Sequence, residues 1–596
     1  MKQFRLLFSS VVLGLMLGAF SVNAQVNDYQ PVTDEVLRNP SDADWLQWRR
    51  TYDGWAYSPL DQINRDNVGS LQLVWSRALT AGRIELIPLV HDGVMYIPHP
   101  GSVIEAVDAT TGDLIWQYRR APPEGAGGRG GLTRNIAMYD DKIFFAAPSD
   151  GFLVALDART GAVVWETQIT GPEEGARHTA GPIVVRGKVL TGRACSVGGL
   201  TEGCFIAAHD AETGEELWRS YTAARPGTSF DPSMLSDLQR EMGGDTWSGV
   251  PVEERQHVSV WMPGTYDPEL DLVYWGTGVP GPYTAIARGF GGEYQGDLLY
   301  SNSTLALDPD TGEIVWYYQH LPGDDLDMDH VHERILVDTT FEPSDELEWY
   351  NPAIAGEERK VLWAGGKAGI QFVLDRETGE FLWAGEMLHQ NVVLDIEDTG
   401  RVIKDPNLIH KEFGDILVAG PRAGKDWWYG AYSPLTNVVY QPLLNAWVQQ
   451  ISLEFTGTGL AASRQTISSP DQTNLAGMVK GYNVATGALL WEYKQAAPWL
   501  GGLVATGGGL LFGGDINRRF RALDQETGEI LWETILNSRA TGGAISYGVD
   551  GRQYIAVATG GGTSGSYERF DLTPDVQLSA PTGSNTIFVF AVPESE

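Results

Sequence analysis

The residues best placed to do chemistry lie in one acidic run, Gly323-Asp-Asp-Leu-Asp-Met-Asp-His330, which sets four carboxylates beside an imidazole. Carboxylates at that density can bind a hard cation or take a proton from a substrate. A solvated turn has the same composition, so the run alone does not decide between them. The second group is the only cysteine pair, Cys195 and Cys204. In an exported protein they read as a disulfide closing a short loop rather than as a metal pair. Two cofactor signatures are missing from the sequence: Cys-x-x-Cys-His for covalent c-type haem, and a strand-linked glycine fingerprint for a dinucleotide. A redox enzyme built on this chain must hold some other cofactor and hand its electrons to a separate protein.

Export is expected from the first residues. Lys2 and Arg5 precede an apolar run, residues 11–20, and Val22-Asn23-Ala24 ends in small residues, so 1–24 reads as a cleaved signal peptide and 25–596 as the mature protein. The apolar run is too short to span a bilayer, and no later segment approaches the roughly 20 apolar residues a membrane helix needs. The expected location is the periplasm. A net charge of −35 repels nucleic acid and anionic lipid, and suits a basic protein partner or simple solubility.

The elements that must position any site announce themselves by repetition. One pattern, small-x-Asp/Asn-x-x-Thr-Gly-x-x-x-Trp, occurs seven times, ending at Trp116, Trp165, Trp218, Trp316, Trp383, Trp491 and Trp532. Alternating apolar residues flank the Asp-x-x-Thr-Gly core, which describes two strands joined by a tight turn whose glycine supplies a positive φ. A lone hairpin cannot bury its apolar face, so the copies must stack as a solenoid or a propeller. The spacing stretches to 98 residues before Trp316 and to 108 before Trp491. Each long gap holds a degenerate copy, Tyr266 to Trp275 and Tyr432 to Tyr440, read as blades that lost the motif or gained long insertions. Trp75 and the last strand, 586–591, are expected to pair and close the ring, removing the exposed sheet edges.

The Ala-x-Asp-x-x-Thr-Gly-x-x-x-Trp repeat resembles the tryptophan-docking motif of the eight-bladed propellers of quinoprotein alcohol dehydrogenases, which use pyrroloquinoline quinone (PQQ). Trp45-Leu-Gln-Trp48 through Tyr57-Ser-Pro-Leu-Asp-Gln-Ile-Asn64 is similar to that family's first blade, and the resemblance runs from about residue 45 to the C-terminus. It implies an all-β, eight-bladed propeller that oxidises a small-molecule alcohol and passes electrons to a soluble c-type cytochrome. It also implies roles. Trp261 would be the floor under the quinone ring; Glu85, Arg134, Thr179, Ser259, Lys367 and Asp426 would contact the cofactor; Asp327 would be the catalytic base and a metal ligand. A planar anionic quinone needs such an aromatic floor, cationic donors and a cation at its reactive oxygen.

Departures from the family pattern are equally specific. The vicinal cysteines common in the family fall here at Gly128-Arg129, and an expected Trp is Leu500, beside Trp499. The usual Asn and Glu metal ligands correspond to Val279 and Gly199. The chain therefore looks nearer to polyvinyl-alcohol-type quinoproteins than to methanol dehydrogenases. Asp329, Glu202 and Asn302 are the substitute ligands expected beside Asp327. Calcium is the expected ion, although Asp-x-Asp at 327–329 also resembles the lanthanide-using members. The Gly-rich stretch 227–255, with a short helix at 233–240, is expected to cap the active-site mouth. Two other readings compete: a cofactor-free scaffold propeller of outer-membrane assembly, which has similar repeats, and a quinoprotein sugar or polyol dehydrogenase.

Overall fold

Each motif copy folds as the repeat predicts, for a reason visible in the first of them. Strands Val103–Asp108 and Leu114–Arg119 pair antiparallel, and the Asp108 carboxylate folds the turn between them by accepting from the Thr110 and Thr111 amides at 2.7 and 3.1 Å. Gly112 follows at φ 77°, in the left-handed region that glycine enters without strain. The same Asp-capped turn recurs at Asp157, Asp210, Asp308, Asp375 and Asp524, and at Asn483.

The computed structural model describes residues 25–121, 131–148, 150–171, 178–195, 203–225, 245–255, 257–289, 296–456, 461–561 and 584–594. The expected signal peptide, Gly128-Arg129, Gly199, Glu202 and the 233–240 helix lie outside them. Among the described residues there are eight sheets with four or five strands, antiparallel except where Tyr57–Ser58 joins Val504–Thr506 in parallel, and two smaller sheets. Inner strands such as Val94–His99 are buried throughout, whereas outer strands such as Leu114–Arg119 bury chiefly their tryptophan. No helix among the described residues is long and apolar enough to cross a membrane.

The sheets are joined in a ring by the tryptophans. The Trp75 indole donates to Ala109 O at 3.0 Å, Trp116 to Ala158 O at 3.0 Å, Trp165 to Ala211 O at 3.1 Å, Trp218 to Pro309 O at 3.0 Å and Trp491 to Gln525 O at 2.9 Å. In each case the acceptor is in the next sheet's motif turn, and that turn's glycine lies under the indole. The glycine is therefore required twice over. A Cβ on Gly161 would meet Trp116 at 2.5 Å while φ stands at 71°. Trp383 departs from the pattern, because Leu347 lies 3.0 Å from where a Cβ on Gly487 would stand. Closure is as expected: Gln72–Ala78, bearing Trp75, pairs antiparallel with Thr586–Ala591.

The long gaps resolve in favour of insertions. Thr265–Asp267 and Leu272–Gly276 are the inner hairpin of the sheet whose outer strand carries Trp316. Ala431–Ser433 and Val438–Leu444 are likewise the inner hairpin of the Trp491 sheet. The degenerate copies are therefore not extra blades. After Leu444 the chain leaves its sheet for an excursion, Ala446–Ser452 and Ala462–Ser468, which pairs with Ile416–Ala419 in a three-stranded sheet before returning at Gly477–Asn483. Cys195 and Cys204 are disulfide-bonded, with Cα atoms 5.6 Å apart, across the mouth of the paired strands Lys188–Gly192 and Phe205–Asp210.

Gly161→Ala places a Cβ against the Trp116 indole and forces a left-handed backbone on alanine. It is expected to destabilise the fold by at least about 2 kcal/mol, measured as a lowered denaturation midpoint; an unchanged midpoint would count against the docking interaction as a source of stability.

Candidate active site

A recurring position in the ring gathers the chemistry. Glu85, Arg134, Thr179, Ser259, Trp261, Asp327, Asp329 and Asp426 all lie three to seven residues before the innermost strand of a sheet. The innermost strands border the ring axis, so residues leading into them from successive sheets converge although they are far apart in sequence. Lys367 reaches the same place from the turn between Glu358–Gly365 and Ile370–Asp375.

The acidic run is the connection from Ile314–Gln319 to Arg334–Thr340. It is buried rather than solvated: Asp324, Asp325, Asp327 and Asp329 are each at most 5% exposed. Asp324 folds the turn by accepting from the amides of Leu326 and Met328, both at 2.7 Å. Asp325 is held on four sides. It accepts from the Ala285 amide, from Arg288 at 3.2 Å, and from His410 through Nδ1 at 2.6 Å and the amide at 2.8 Å. Thus fixed, the loop presents Asp327 with φ at 69°, an uncommon conformation outside glycine of the kind that persists where surroundings hold it in place.

Asp327 and Asp329 share one ammonium. Lys367 Nζ lies 3.2 Å from Asp327 Oδ1 and 2.5 Å from Asp329 Oδ2. Arg464 pairs with the other oxygen of Asp327. Burial alone would raise the Asp327 carboxyl, but Lys367 and Arg464 hold it below the ordinary carboxylate range. Asp329 moves the opposite way, because burial and the neighbouring Asp327 charge outweigh Lys367. Val279, which carries no side-chain oxygen, donates its amide to Asp329 Oδ1 at 2.9 Å. A Cβ on Gly278 would come within 2.4 Å of that same oxygen.

Beside this cluster stands Trp261. The Arg134 guanidinium lies 4.9 Å and the Lys367 ammonium 5.7 Å from its ring centroid, and His332 meets the ring edge-on at 5.6 Å. Arg134 donates to the carbonyls of Trp261 at 2.9 Å and Thr179 at 3.1 Å and pairs with buried Glu85 at 2.6 Å. Asp426 Oδ1 lies 3.4 Å from His332 Nε2, and the Ser259 carbonyl accepts from Gly278 at 2.8 Å. An aromatic face lined by two cations, next to a paired-carboxylate cluster, suits a flat polyanion. The all-oxygen donors Asp327 and Asp329 suit a hard cation.

Not every sequence candidate joins the group. Asn302 gives its Nδ2 to Asp324 Oδ2 at 3.1 Å, so it braces the acidic turn, while its Oδ1 has no hydrogen-bond partner among the described residues. Glu202 lies outside those residues. Trp499 is buried against Tyr493 and hydrogen-bonds Gly501 O. The residues missed in sequence are Arg464, Arg422, whose charge also acts on Asp327, and Tyr283, which lies under Arg464 with the guanidinium 5.2 Å from its ring. Arg464 and Arg422 belong to the insertion, where the repeat says nothing about register.

Comparison with known proteins agrees with this geometry. Residues 45–389 and 494–555 match the family described as "PQQ: Glucose/ethanol/alcohol dehydrogenase, beta-propeller domain". The chain is 32% identical over 594 residues to the dehydrogenase subunit of alcohol dehydrogenase (quinone) from Komagataeibacter europaeus, covering 94% of this chain and 77% of that one. It is 33% identical over 568 residues to the quinohemoprotein alcohol dehydrogenase of Comamonas testosteroni, covering 92% and 76%. A europium-containing methanol dehydrogenase superposes with a TM-score of 0.81 at 28% identity, covering 94% of this chain and all of that one. Motif turns docked under tryptophans, a closed ring and a cationic, aromatic centre at its axis agree with that match, and the chain belongs to the PQQ-dependent glucose/ethanol/alcohol dehydrogenase family of β-propellers.

Proposed function

We propose that this protein is a periplasmic quinoprotein that oxidises a primary or secondary alcohol to an aldehyde or ketone. The observation that carries the reading is the buried Asp327–Lys367–Asp329 cluster beside the cation-lined face of Trp261. Trp261, Arg134 and Lys367 would hold PQQ, with Glu85, Thr179, Ser259 and Asp426 around it. Asp327 and Asp329 would hold a cation, for which calcium is favoured because the two carboxylates are already partly neutralised by Lys367. When bound, the quinone supplies an electrophilic carbonyl that accepts hydride, and the cation polarises it.

The chain's own residues supply the rest. Asp327 accepts the hydroxyl proton of the alcohol from a buried position that its neighbours hold. Lys367 keeps that carboxylate ionised and, through Asp329, fixes its position. Tyr283, whose phenol burial and the Asp327 charge hold far above its ordinary range, stays protonated and closes one wall. The charge of −35 supports a basic c-type cytochrome as electron acceptor, drawn in by long-range attraction.

Chelator-stripped apoprotein refilled with PQQ and calcium is expected to reduce an artificial dye with an alcohol, whereas NAD without PQQ supports nothing. Activity with NAD alone would overturn the assignment. Recovery with lanthanum but not calcium would overturn the choice of ion. Asp327→Asn in the refilled protein should lower kcat by about 10²–10⁴-fold while PQQ still binds.

Turnover with a basic cytochrome c should fall steeply as salt rises from about 10 mM to 150 mM, where the screening length shrinks from about 30 to 8 Å. A flat response would point to a hydrophobic docking mode.

A further inference from the structure

His332 joins three parts of the proposed cofactor site that belong to successive sheets, those of Trp316, Trp383 and Trp491. Its imidazole is buried and meets the Trp261 ring edge-on, with the centroids 5.6 Å apart and the planes at 81°. Each ring nitrogen faces an oxygen: Gly365 O lies 3.3 Å from Nδ1, and Asp426 Oδ1 lies 3.4 Å from Nε2. Whichever nitrogen carries the proton, the ring cannot turn without losing one of these contacts. Gly365 closes the strand Glu358–Gly365, which leads into the turn carrying Lys367. One imidazole therefore ties together the aromatic floor, the Lys367 turn and the Asp426 carboxylate.

The main chain around these groups is held by other residues. Glu333 pairs with Lys425 at 2.9 Å and accepts from the Gly430 amide at 2.7 Å, which pins the chain on both sides of Asp426. His330 packs beneath the Lys367 turn, where it leaves no room for a Cβ at Gly366, and it stacks on His320 at 4.6 Å. With the backbone braced by Glu333 and His330, the side-chain contacts of His332 fall on Trp261 and Asp426. Support of that kind sets the geometry of a site rather than the fold that carries it.

Resting on the quinoprotein reading, we infer that His332 is a positioning residue for the cofactor: it holds the tilt of Trp261 and the direction of the Asp426 carboxylate, and so sets how tightly the quinone binds and the surroundings of its ring, without touching the alcohol. The edge-on contact fixes the indole, and the nitrogens fix the carboxylate against the Lys367 turn. An indole free to tilt, or a carboxylate free to turn, would have to be ordered as the quinone binds, and that loss of freedom weakens binding.

The test titrates the full-length apoprotein with PQQ in the presence of calcium, reading affinity by calorimetry and the bound quinone by its visible absorption. H332F keeps an aromatic edge against Trp261 but no nitrogen, and H332Q keeps a donor but no ring. Each should weaken PQQ binding at least about tenfold and shift the absorption maximum, while with PQQ saturating the KM for alcohol stays within about twofold of the wild type. H320Q alters a neighbouring buried imidazole whose ring partners are Tyr318, His330 and Phe372; it should lower the denaturation midpoint and leave PQQ affinity and absorption unchanged. If H332F fails to fold, H332Q decides alone. Unchanged PQQ affinity and absorption in the His332 variants, or an equal loss of affinity in H320Q, overturns the inference. Wild type that binds PQQ alongside unaffected His332 variants sinks only this inference, whereas wild type that binds no PQQ sinks the quinoprotein reading itself.

Discussion

The contact between an indole and the glycine turn of the next sheet organises everything else in this molecule. It joins neighbours through one hydrogen bond and one close apolar contact, and it tolerates no side chain at the glycine. The contact recurs around most of the ring, with Leu347 taking the place of an indole over Gly487. The fold needs no single central core; each interface buries its own apolar faces, and the pairing of Gln72–Ala78 with Thr586–Ala591 closes the ring by joining the two ends of the chain in one sheet.

Ring closure has an electrostatic consequence. The lead-ins to the innermost strands meet at the axis, and there the structure buries charge in compensated groups: Arg134 with Glu85, Lys425 with Glu333, Lys367 with Asp327 and Asp329, and Asp325 with Arg288 and His410. Such groups add little net stability relative to apolar packing, and removing one partner leaves an uncompensated buried charge. Their presence at the axis is therefore better explained by function. Desolvation and fixed partners push Asp327 and Asp329 in opposite directions, which is how neighbouring carboxylates acquire different roles.

The insertions act on that centre from outside the repeat. The excursion after Leu444 and the segment around His410 grip the same four-residue stretch, Asp324 to Asp327, that the propeller connection supplies. The acidic loop is consequently shared between the ring and the added sheet, and the loop's left-handed Asp327 is held from both sides. The ring provides the aromatic, cation-lined surface around Trp261, and the added sheet brings Arg464 to Asp327.

Much of this was legible from the residues in order. The repeated Asp-x-x-Thr-Gly-x-x-x-Trp specifies a hairpin by local turn chemistry, so seven hairpins, the stacking of sheets and the pairing of Trp75's strand with the last strand could be read directly. Glu85, Arg134, Trp261, Lys367 and Asp327 came from the resemblance to a family rather than from the repeat, and the structure sets them close together; the Cys195–Cys204 disulfide was legible from their nearness in an exported chain. The meaning of the long gaps was not, since a degenerate inner hairpin and a lost blade have the same alternation. Nor was Asn302's turn toward Asp324, nor the convergence of Arg464 on Asp327 from 137 positions along the chain. Local turns and periodicity are properties of a few neighbouring residues and are therefore written in sequence. Which distant charges share a buried volume depends on closure of the ring and on where an insertion folds back, and only the tertiary structure decides that.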